Sequence, residues 1–105
     1  MKNISDYIEE ITSNTGIKVY LVGLRNCSSC DVWTKEVLVP TCLDNDLTVE
    51  IIYSDETFIP FKPEMAPTTY FYTKDNLNPI MIVGEQTATH INALISTAKA
   101  RLEQL

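Results

Sequence analysis

A short apolar run followed at once by two closely spaced cysteines constrains this chain more than any other part of its sequence. The run 19–24 reads Val-Tyr-Leu-Val-Gly-Leu, and Cys27 and Cys30 follow with two residues between them. Near-continuous apolar character predicts a strand buried on both faces, as in the centre of a sheet covered by helices. The spacing of the cysteines allows a redox disulfide, a structural pair or two ligands of a metal ion, and a strand-to-helix context favours the redox alternative.

The metal alternative needs further ligands, and the sequence offers two. Cys42 and His90 could complete a tetrahedral zinc site with Cys27 and Cys30, but neither has the spacing of a zinc finger. We therefore expect no metal and no cofactor, and we interpret Cys42 as a small buried hydrophobic residue.

Composition limits the class of protein. The chain has 105 residues, 45% of them hydrophobic, which is enough for one domain with a single core spanning residues 1–105. Fourteen acidic and eight basic side chains leave a net charge of -6, so the phosphates of a nucleic acid would be repelled. Nucleic acid is not an expected partner.

Hydropathy and the number of cysteines predict the cellular compartment of the protein. The first residues lack an apolar core of signal-peptide length, and no run approaches the roughly 20 apolar residues that a membrane span requires. Three cysteines suit a reducing compartment better than a secreted scaffold with several disulfides. These observations predict a cytoplasmic monomer without a membrane partner.

Apolar periodicity predicts helices at both ends of the chain. Ile4, Tyr7, Ile8 and Ile11 share one face of a first helix capped by Asn3, and Gly16 is expected to end that helix in the left-handed conformation. Thr87 is expected to cap a last helix, which carries this apolar stripe: Ile91, Leu94, Ile95, Ala98, Leu102 and Leu105.

The middle of the chain predicts a crossover and a hairpin. Ser28 or Ser29 is expected to begin a helix that Pro40 either ends or kinks. Segment 47–53 is rich in β-branched residues and is expected to form a second strand. Segment 56–66 contains two prolines and is interpreted as a loop. Strands at 68–73 and 79–83 then form an antiparallel hairpin around a turn at 74–78.

This order of elements, with Cys27-Ser28-Ser29-Cys30 where the first strand meets the second helix, resembles the thioredoxin family. Two further landmarks support the resemblance: Ala66-Pro67 before the strand 68–72, and Gly84 at the end of the hairpin. Glutaredoxins share the fold but have a different motif where this chain has Gly84-Glu85-Gln86-Thr87, so the chain is closer to thioredoxin. The resemblance implies an α/β thioredoxin-like fold, in which a central four-stranded mixed sheet is flanked by helices on both faces.

The resemblance also implies an activity and a set of site residues. Cys27 would attack a protein disulfide and Cys30 would release the product, so that the chain reduces disulfides as a thiol-disulfide oxidoreductase. Asn26, Ala66 and Pro67 would contact the substrate, with Pro67 in the cis form and Ala66 presenting its backbone to the substrate chain. A disulfide reductase or glutathione would donate the electrons.

Four positions depart from the family pattern. Asn26 stands where thioredoxins usually carry Trp, and Ser28-Ser29 replace Gly-Pro. Leu21 replaces a buried aspartate that is thought to help move the proton of the resolving thiol, and Glu50 is a candidate substitute for it. Leu21 and Asn26, together with the loop that contains Pro60 and Pro63, favour an alternative function, a thioredoxin-fold module that binds a protein partner with little or no turnover.

Charges near the cysteines predict the behaviour of the reduced pair. Only a thiolate attacks a disulfide, and an ordinary cysteine has a pKa of about 8.5, so Cys27 needs stabilisation as an anion. The helix N-terminus supplies it, and Arg25 adds to it if its side chain points that way. Asp31 acts in the opposite direction and is expected to keep the pair reducing.

Overall fold

The computed structural model describes residues 3–53, 67–73 and 78–103, and the architecture refers to those ranges. The helices are α1 (Ile4–Ser13), α2 (Ser28–Trp33), a π-helical turn (Thr34–Leu38), α3 (Val39–Leu43) and α4 (Ala88–Glu103). The strands are β1 (Ile17–Gly23), β2 (Val49–Tyr53), β3 (Thr68–Thr73) and β4 (Ile80–Val83).

The four strands form one mixed sheet in the order β2-β1-β3-β4. β1 runs parallel to β2 and antiparallel to β3, and β4 runs antiparallel to β3. Both the crossover from β1 to β2 and the hairpin of β3 and β4 are therefore confirmed. β1 is a central strand whose two faces are both covered, which explains why its sequence is almost continuously apolar.

The sheet separates two cores of different chemistry. On the α1 side, the core contains four tyrosines together with aliphatic residues, and these are Tyr7, Ile11, Tyr20, Val22, Ile52, Tyr70 and Tyr72. On the opposite side, the core is mainly aliphatic, and it contains Val19, Leu21, Trp33, Leu38, Cys42, Phe71, Ile82, Ile91 and Ile95. Successive residues of β1 alternate between the two cores, so burial on both faces of this strand is confirmed.

Ring contacts and a part-buried hydrogen bond stabilise the tyrosine-rich core. The Tyr20 ring meets the Tyr7 and Tyr72 rings edge to face, and the Tyr20 hydroxyl donates a hydrogen bond of 2.8 Å to the Glu10 carboxylate. Burial raises the pKa of Tyr72 to about 12, and burial followed by the Glu10 hydrogen bond raises the pKa of Tyr20 further. Both phenols therefore stay neutral around pH 7, and they pack as polar-tipped hydrophobic residues.

The first helix begins as predicted but ends differently. Asn3 and Asp6 form a capping box, in which each side chain accepts a hydrogen bond from the backbone N–H of the other. At the end of α1 the Asn14 side chain bonds to the backbone of Gly16, which does not adopt the left-handed conformation. The expected role of Gly16 is therefore wrong, because the Asn14 amide satisfies the backbone groups there.

The predicted apolar face of α1 is only partly buried. Tyr7 and Ile11 are buried in the tyrosine-rich core, whereas Ile4 and Ile8 remain 43% and 41% exposed. The helix contacts the sheet through a narrower stripe than its periodicity indicates, since residues at the flank of a helix face reach the sheet least.

The helix that begins at Ser28 does not end at Pro40. The Val39 N–H donates to the Thr34 carbonyl, five residues earlier, and this π-helical turn leads directly into α3. Pro40 then lies in the first turn of α3, directly after the wider π-helical turn, at a point where the regular α-helical hydrogen-bond pattern is already interrupted. The helical path therefore continues to Leu43.

The last helix is confirmed, and it covers the aliphatic side of the sheet. The Thr87 hydroxyl accepts a hydrogen bond from the His90 N–H, and Ile91, Ile95 and Ala98 are buried. The loop predicted at 56–66, the turn residues 74–77 and Leu105 lie outside the described residues. Within the described ranges, no helix is long and apolar enough to cross a membrane.

Candidate redox site

The two closely spaced cysteines form a disulfide where β1 leads into α2. Cys27 is the N-cap residue of α2, and Cys30 lies in its first turn, with 5.3 Å between the two Cα atoms. Cys27 is partly exposed, whereas Cys30 is only 7% exposed. Cys27 is therefore more accessible to solvent than Cys30.

Two donors are directed at the sulfur of Cys27. The backbone N–H of Cys30 lies 3.4 Å from this Sγ, and the Ser29 hydroxyl oxygen lies 3.6 Å from it. A disulfide sulfur carries no hydrogen, so the Ser29 hydroxyl is the donor in this state. After reduction the same two groups can stabilise a Cys27 thiolate, together with the positive end of the helix. Sequence reasoning missed Ser29, although its position in the first turn was the available signal.

The two residues before Cys27, Arg25 and Asn26, form a turn with a defined conformation. Asn26 is exposed and has a φ of 60°, in the left-handed region that Asn tolerates better than most residues. The Arg25 guanidinium lies over the Tyr53 ring, 4.3 Å from the ring centroid. Arg25 therefore anchors this turn to the end of β2.

A cavity of about 290 Å³ adjoins Cys30 on the aliphatic side of the sheet. Leu21 lies in its wall, together with Thr34, whose hydroxyl donates a 2.7 Å hydrogen bond to the Cys30 carbonyl. Asp31 and Lys35 also border the cavity, and both are exposed. The position at which thioredoxins carry a buried aspartate is thus occupied here by an apolar side chain, which lines the same cavity as Cys30.

Glu50 cannot take the place of that aspartate. In the parallel register of β1 and β2, Glu50 pairs with Tyr20, whereas Ile51 pairs with Leu21. Paired residues point to the same face, so Glu50 lies on the tyrosine-rich side of the sheet and Cys30 on the other. Consistently, the Glu50 carboxylate contributes to raising the pKa of Tyr20.

Pro67 lies at the same cavity as Cys30, and its role in substrate contact stays a prediction. It is buried, and its carbonyl accepts a 2.8 Å hydrogen bond from the Gly84 N–H. Gly84 has a φ of 81°, which explains the glycine that follows the hairpin. Ala66, the other half of the predicted dipeptide, lies outside the described residues, as does the peptide bond before Pro67.

The remaining candidate metal ligands lie apart from the cysteine pair. Cys42 is a free thiol buried in the aliphatic core, and burial raises its pKa to about 11. His90 is exposed in the first turn of α4. In the part of the chain that the structure describes, no three His, Cys, Asp or Glu side chains are grouped so that they could hold a metal ion.

Trp33, the last residue of α2, connects this helix to the segment that follows β4. It is 7% exposed, and its indole N–H donates a 2.8 Å hydrogen bond to the Gln86 carbonyl. The indole is therefore a core residue with one satisfied polar atom rather than an open binding platform.

Burial predicts the order in which the thiols of the reduced protein are alkylated. With limiting iodoacetamide at pH 7.5, we expect Cys27 to be modified first and Cys42 at least about tenfold more slowly, because only the thiolate reacts. Modification of Cys42 should become faster as the pH rises toward its pKa of about 11. Peptide mass spectrometry measures the order, and preferential labelling of Cys30 or Cys42 at pH 7.5 would contradict it.

Together, these elements define a thioredoxin-like α/β fold with a Cys-x-x-Cys disulfide at the start of α2. The structure is similar to two crystal structures of oxidised thioredoxins from Arabidopsis thaliana. Thioredoxin O1 matches with a TM-score of 0.67 and 15% identity, over 94% of this chain and 95% of that chain. Thioredoxin O2 matches with a TM-score of 0.62 and 14% identity, over 94% and 91%. No family model and no curated protein matches the sequence.

Proposed function

We propose that this protein is a thiol-disulfide oxidoreductase that reduces protein disulfides through Cys27 and Cys30. The observation that carries the proposal is the disulfide itself, which joins a partly exposed N-cap sulfur to a buried sulfur one turn later. A structural disulfide would not need two hydrogen-bond donors directed at its more exposed sulfur.

The reaction follows from the different exposure of the two sulfurs. In the reduced protein, the Cys27 thiolate attacks one sulfur of the substrate disulfide, and the other substrate sulfur leaves as a thiolate that takes up a proton. Cys30 then loses its proton, and its thiolate attacks the Sγ of Cys27. The bond between Cys27 and the substrate breaks, the second substrate thiolate is protonated, and the protein is left with the Cys27–Cys30 disulfide.

Reduction of insulin disulfides in the presence of dithiothreitol tests this function. Wild type should accelerate the reaction, and Cys27→Ser should lower the rate to that of dithiothreitol alone, because no attacking sulfur remains at the exposed position. Cys42→Ala is the matched control, since it removes a thiol that is buried in the core and should retain the activity. Equal rates for wild type and Cys27→Ser would refute the proposal.

The cellular setting belongs to the same proposal. Protein disulfides are the proposed substrates, a disulfide reductase or glutathione is the proposed electron donor, and the cytoplasm is the proposed compartment. We also propose that the protein acts as a monomer. Analytical ultracentrifugation of the reduced protein tests the last point, and a stable dimer would contradict it.

A second candidate function is supported by the apolar environment of Cys30. Leu21 is 2% exposed and faces the cavity beside Cys30, so no carboxylate occupies the position from which the family is thought to move the proton of the resolving thiol. A protein that attacks partners but resolves the mixed disulfide slowly would bind them with little turnover. A strong wild-type rate in the insulin assay would rule out this alternative.

Asp31 provides a quantitative test of how charge sets the redox potential. Its carboxylate is exposed beside Cys30, where it disfavours thiolates and hence the reduced pair. Asp31→Lys should therefore raise the potential, by no more than about 30 mV because water and salt screen an exposed charge. Equilibration against glutathione measures the potential. An unchanged or lower potential in Asp31→Lys would show that the carboxylate does not act on the sulfurs.

A further inference from the structure

The cavity beside Cys30 owes part of its space to a glycine. Gly23 ends β1, pairs with Tyr53 of β2 and lines the cavity. A Cβ built on Gly23 would meet no heavy atom within 4 Å beyond its chain neighbours, and the backbone of Gly23 does not adopt the left-handed conformation. Backbone geometry therefore does not require glycine at this position.

The walls of the cavity are mainly apolar, and its charges are balanced. Its apolar lining consists of Leu21, Leu24, Val39, Ile51, Tyr53 and Pro67. The charged residues on its border are one acid and one base, Asp31 and Lys35, so the site favours neither an anion nor a cation. The hydroxyl of Thr34 already donates to the Cys30 carbonyl. A neutral apolar group is the ligand chemistry that this lining fits.

Size and position decide which apolar group. A volume of about 290 Å³ lies at the lower limit of the roughly 300–1,000 Å³ of pockets for drug-sized ligands, so a single side chain fits better than a whole small molecule. Cys30 and Pro67 belong both to the cavity and to the redox site. A polypeptide whose cysteine reacts with Cys27 would therefore place a neighbouring residue at the cavity, since successive residues are about 3.3 Å apart in an extended chain.

We propose that this cavity is a specificity pocket that receives an aliphatic side chain next to the reactive cysteine of the substrate. The proposal rests on the redox function proposed above and adds a substrate preference to it. Burial of a leucine side chain favours binding, and Gly23 and Ile51 set the shape of the pocket without touching the reacting sulfurs.

Three short peptides test the preference. Each carries one cysteine in a mixed disulfide with thionitrobenzoate. In the first peptide all other residues are serine, in the second a leucine directly precedes the cysteine, and in the third a leucine directly follows it. The Cys27 thiolate attacks the peptide sulfur and thionitrobenzoate leaves as a coloured thiolate. The Cys30 thiolate then displaces the peptide thiol and closes the disulfide. With reduced wild type, one of the two leucine peptides should react at least about tenfold faster than the serine peptide.

Two pocket variants and one small disulfide separate the outcomes. Gly23→Val places a branched side chain in the cavity and Ile51→Gln makes its wall more polar, and both should reduce or abolish the leucine preference. Both should still react with dithiobis(nitrobenzoate) at the wild-type rate, because this reagent carries no aliphatic side chain: the Cys27 thiolate releases the first thionitrobenzoate, and the Cys30 thiolate releases the second as the disulfide closes. Ile51 is 45% exposed, so its variant should fold even if Gly23→Val does not.

Two results would overturn the proposal about the pocket. One is equal rates of wild type with all three peptides, and the other is a leucine preference that persists undiminished in a folded variant. A reduced wild type that releases no thionitrobenzoate from any peptide or from dithiobis(nitrobenzoate) would overturn the redox function itself, and the pocket with it.

Discussion

Cys30→Ser should convert the protein into one that captures its substrates covalently. Cys27 keeps its exposure and its helix N-terminus in this variant, so it can still attack, but no thiolate remains to release the product. Mixed disulfides should therefore accumulate at least about tenfold above wild type. Non-reducing electrophoresis of the variant after incubation with a disulfide-containing protein, with and without dithiothreitol, measures them.

Two controls make this result specific. Cys27→Ser should capture nothing, because the buried Cys30 sulfur is poorly accessible. The chain has only three cysteines, so Cys30→Ser combined with Cys42→Ala should capture as much as Cys30→Ser alone if Cys42 takes no part. A Cys30→Ser variant that behaves like Cys27→Ser would instead support the binding module without redox turnover.

Leu21→Asp should change both the stability of the protein and the speed of the resolving step. Leu21 is 2% exposed, so burial of a carboxylate in its place should lower the free energy of unfolding by about 3 kcal/mol. The new carboxylate would open onto the cavity that Cys30 borders, where it can accept the thiol proton. General bases typically contribute 10²–10⁴-fold, and we expect an acceleration of at least about tenfold.

The two effects are measured separately. Urea unfolding reports stability, and single-turnover reactions quenched in acid report the ratio of mixed disulfide to closed Cys27–Cys30 disulfide over time. Leu21→Asn is the matched control, because it has a similar size and polarity but accepts no proton at neutral pH. Equal resolving rates in the two variants would show that proton transfer at this position does not limit the reaction.

The course of the chain was predictable where one physical signal dominates. The apolar run of β1 and the β-branched residues of β3 have no competing interpretation, and Asn3 and Thr87 cap helices because their side chains reach nearby backbone N–H groups. The exposure of Ile4 and Ile8 was not predictable in the same way. Periodicity indicates which residues share a helix face, but how much of that face touches the sheet depends on packing.

The site shows the same limit at closer range. Cys27 and Cys30 are only three residues apart, so local chain geometry was enough to predict a disulfide between them as one of the alternatives. The side of the sheet on which Glu50 lies depends on the register between β1 and β2, and a shift of one residue would reverse it. The cavity next to Cys30 could not be predicted from the sequence either, because it depends on the absence of a side chain at Gly23 and on residues from several elements.

The separation of the two cores has a practical consequence for handling this protein. α1 packs on the tyrosine-rich face of the sheet, and the cysteine-bearing helix belongs to the opposite face. Ile8 and Thr12 are exposed on α1, so a fluorophore or surface linker attached there would lie across the sheet from the sulfurs. A molecule immobilised through α1 should present its disulfide to the solution, which suits it to single-molecule or sensor formats that need an unobstructed reactive end.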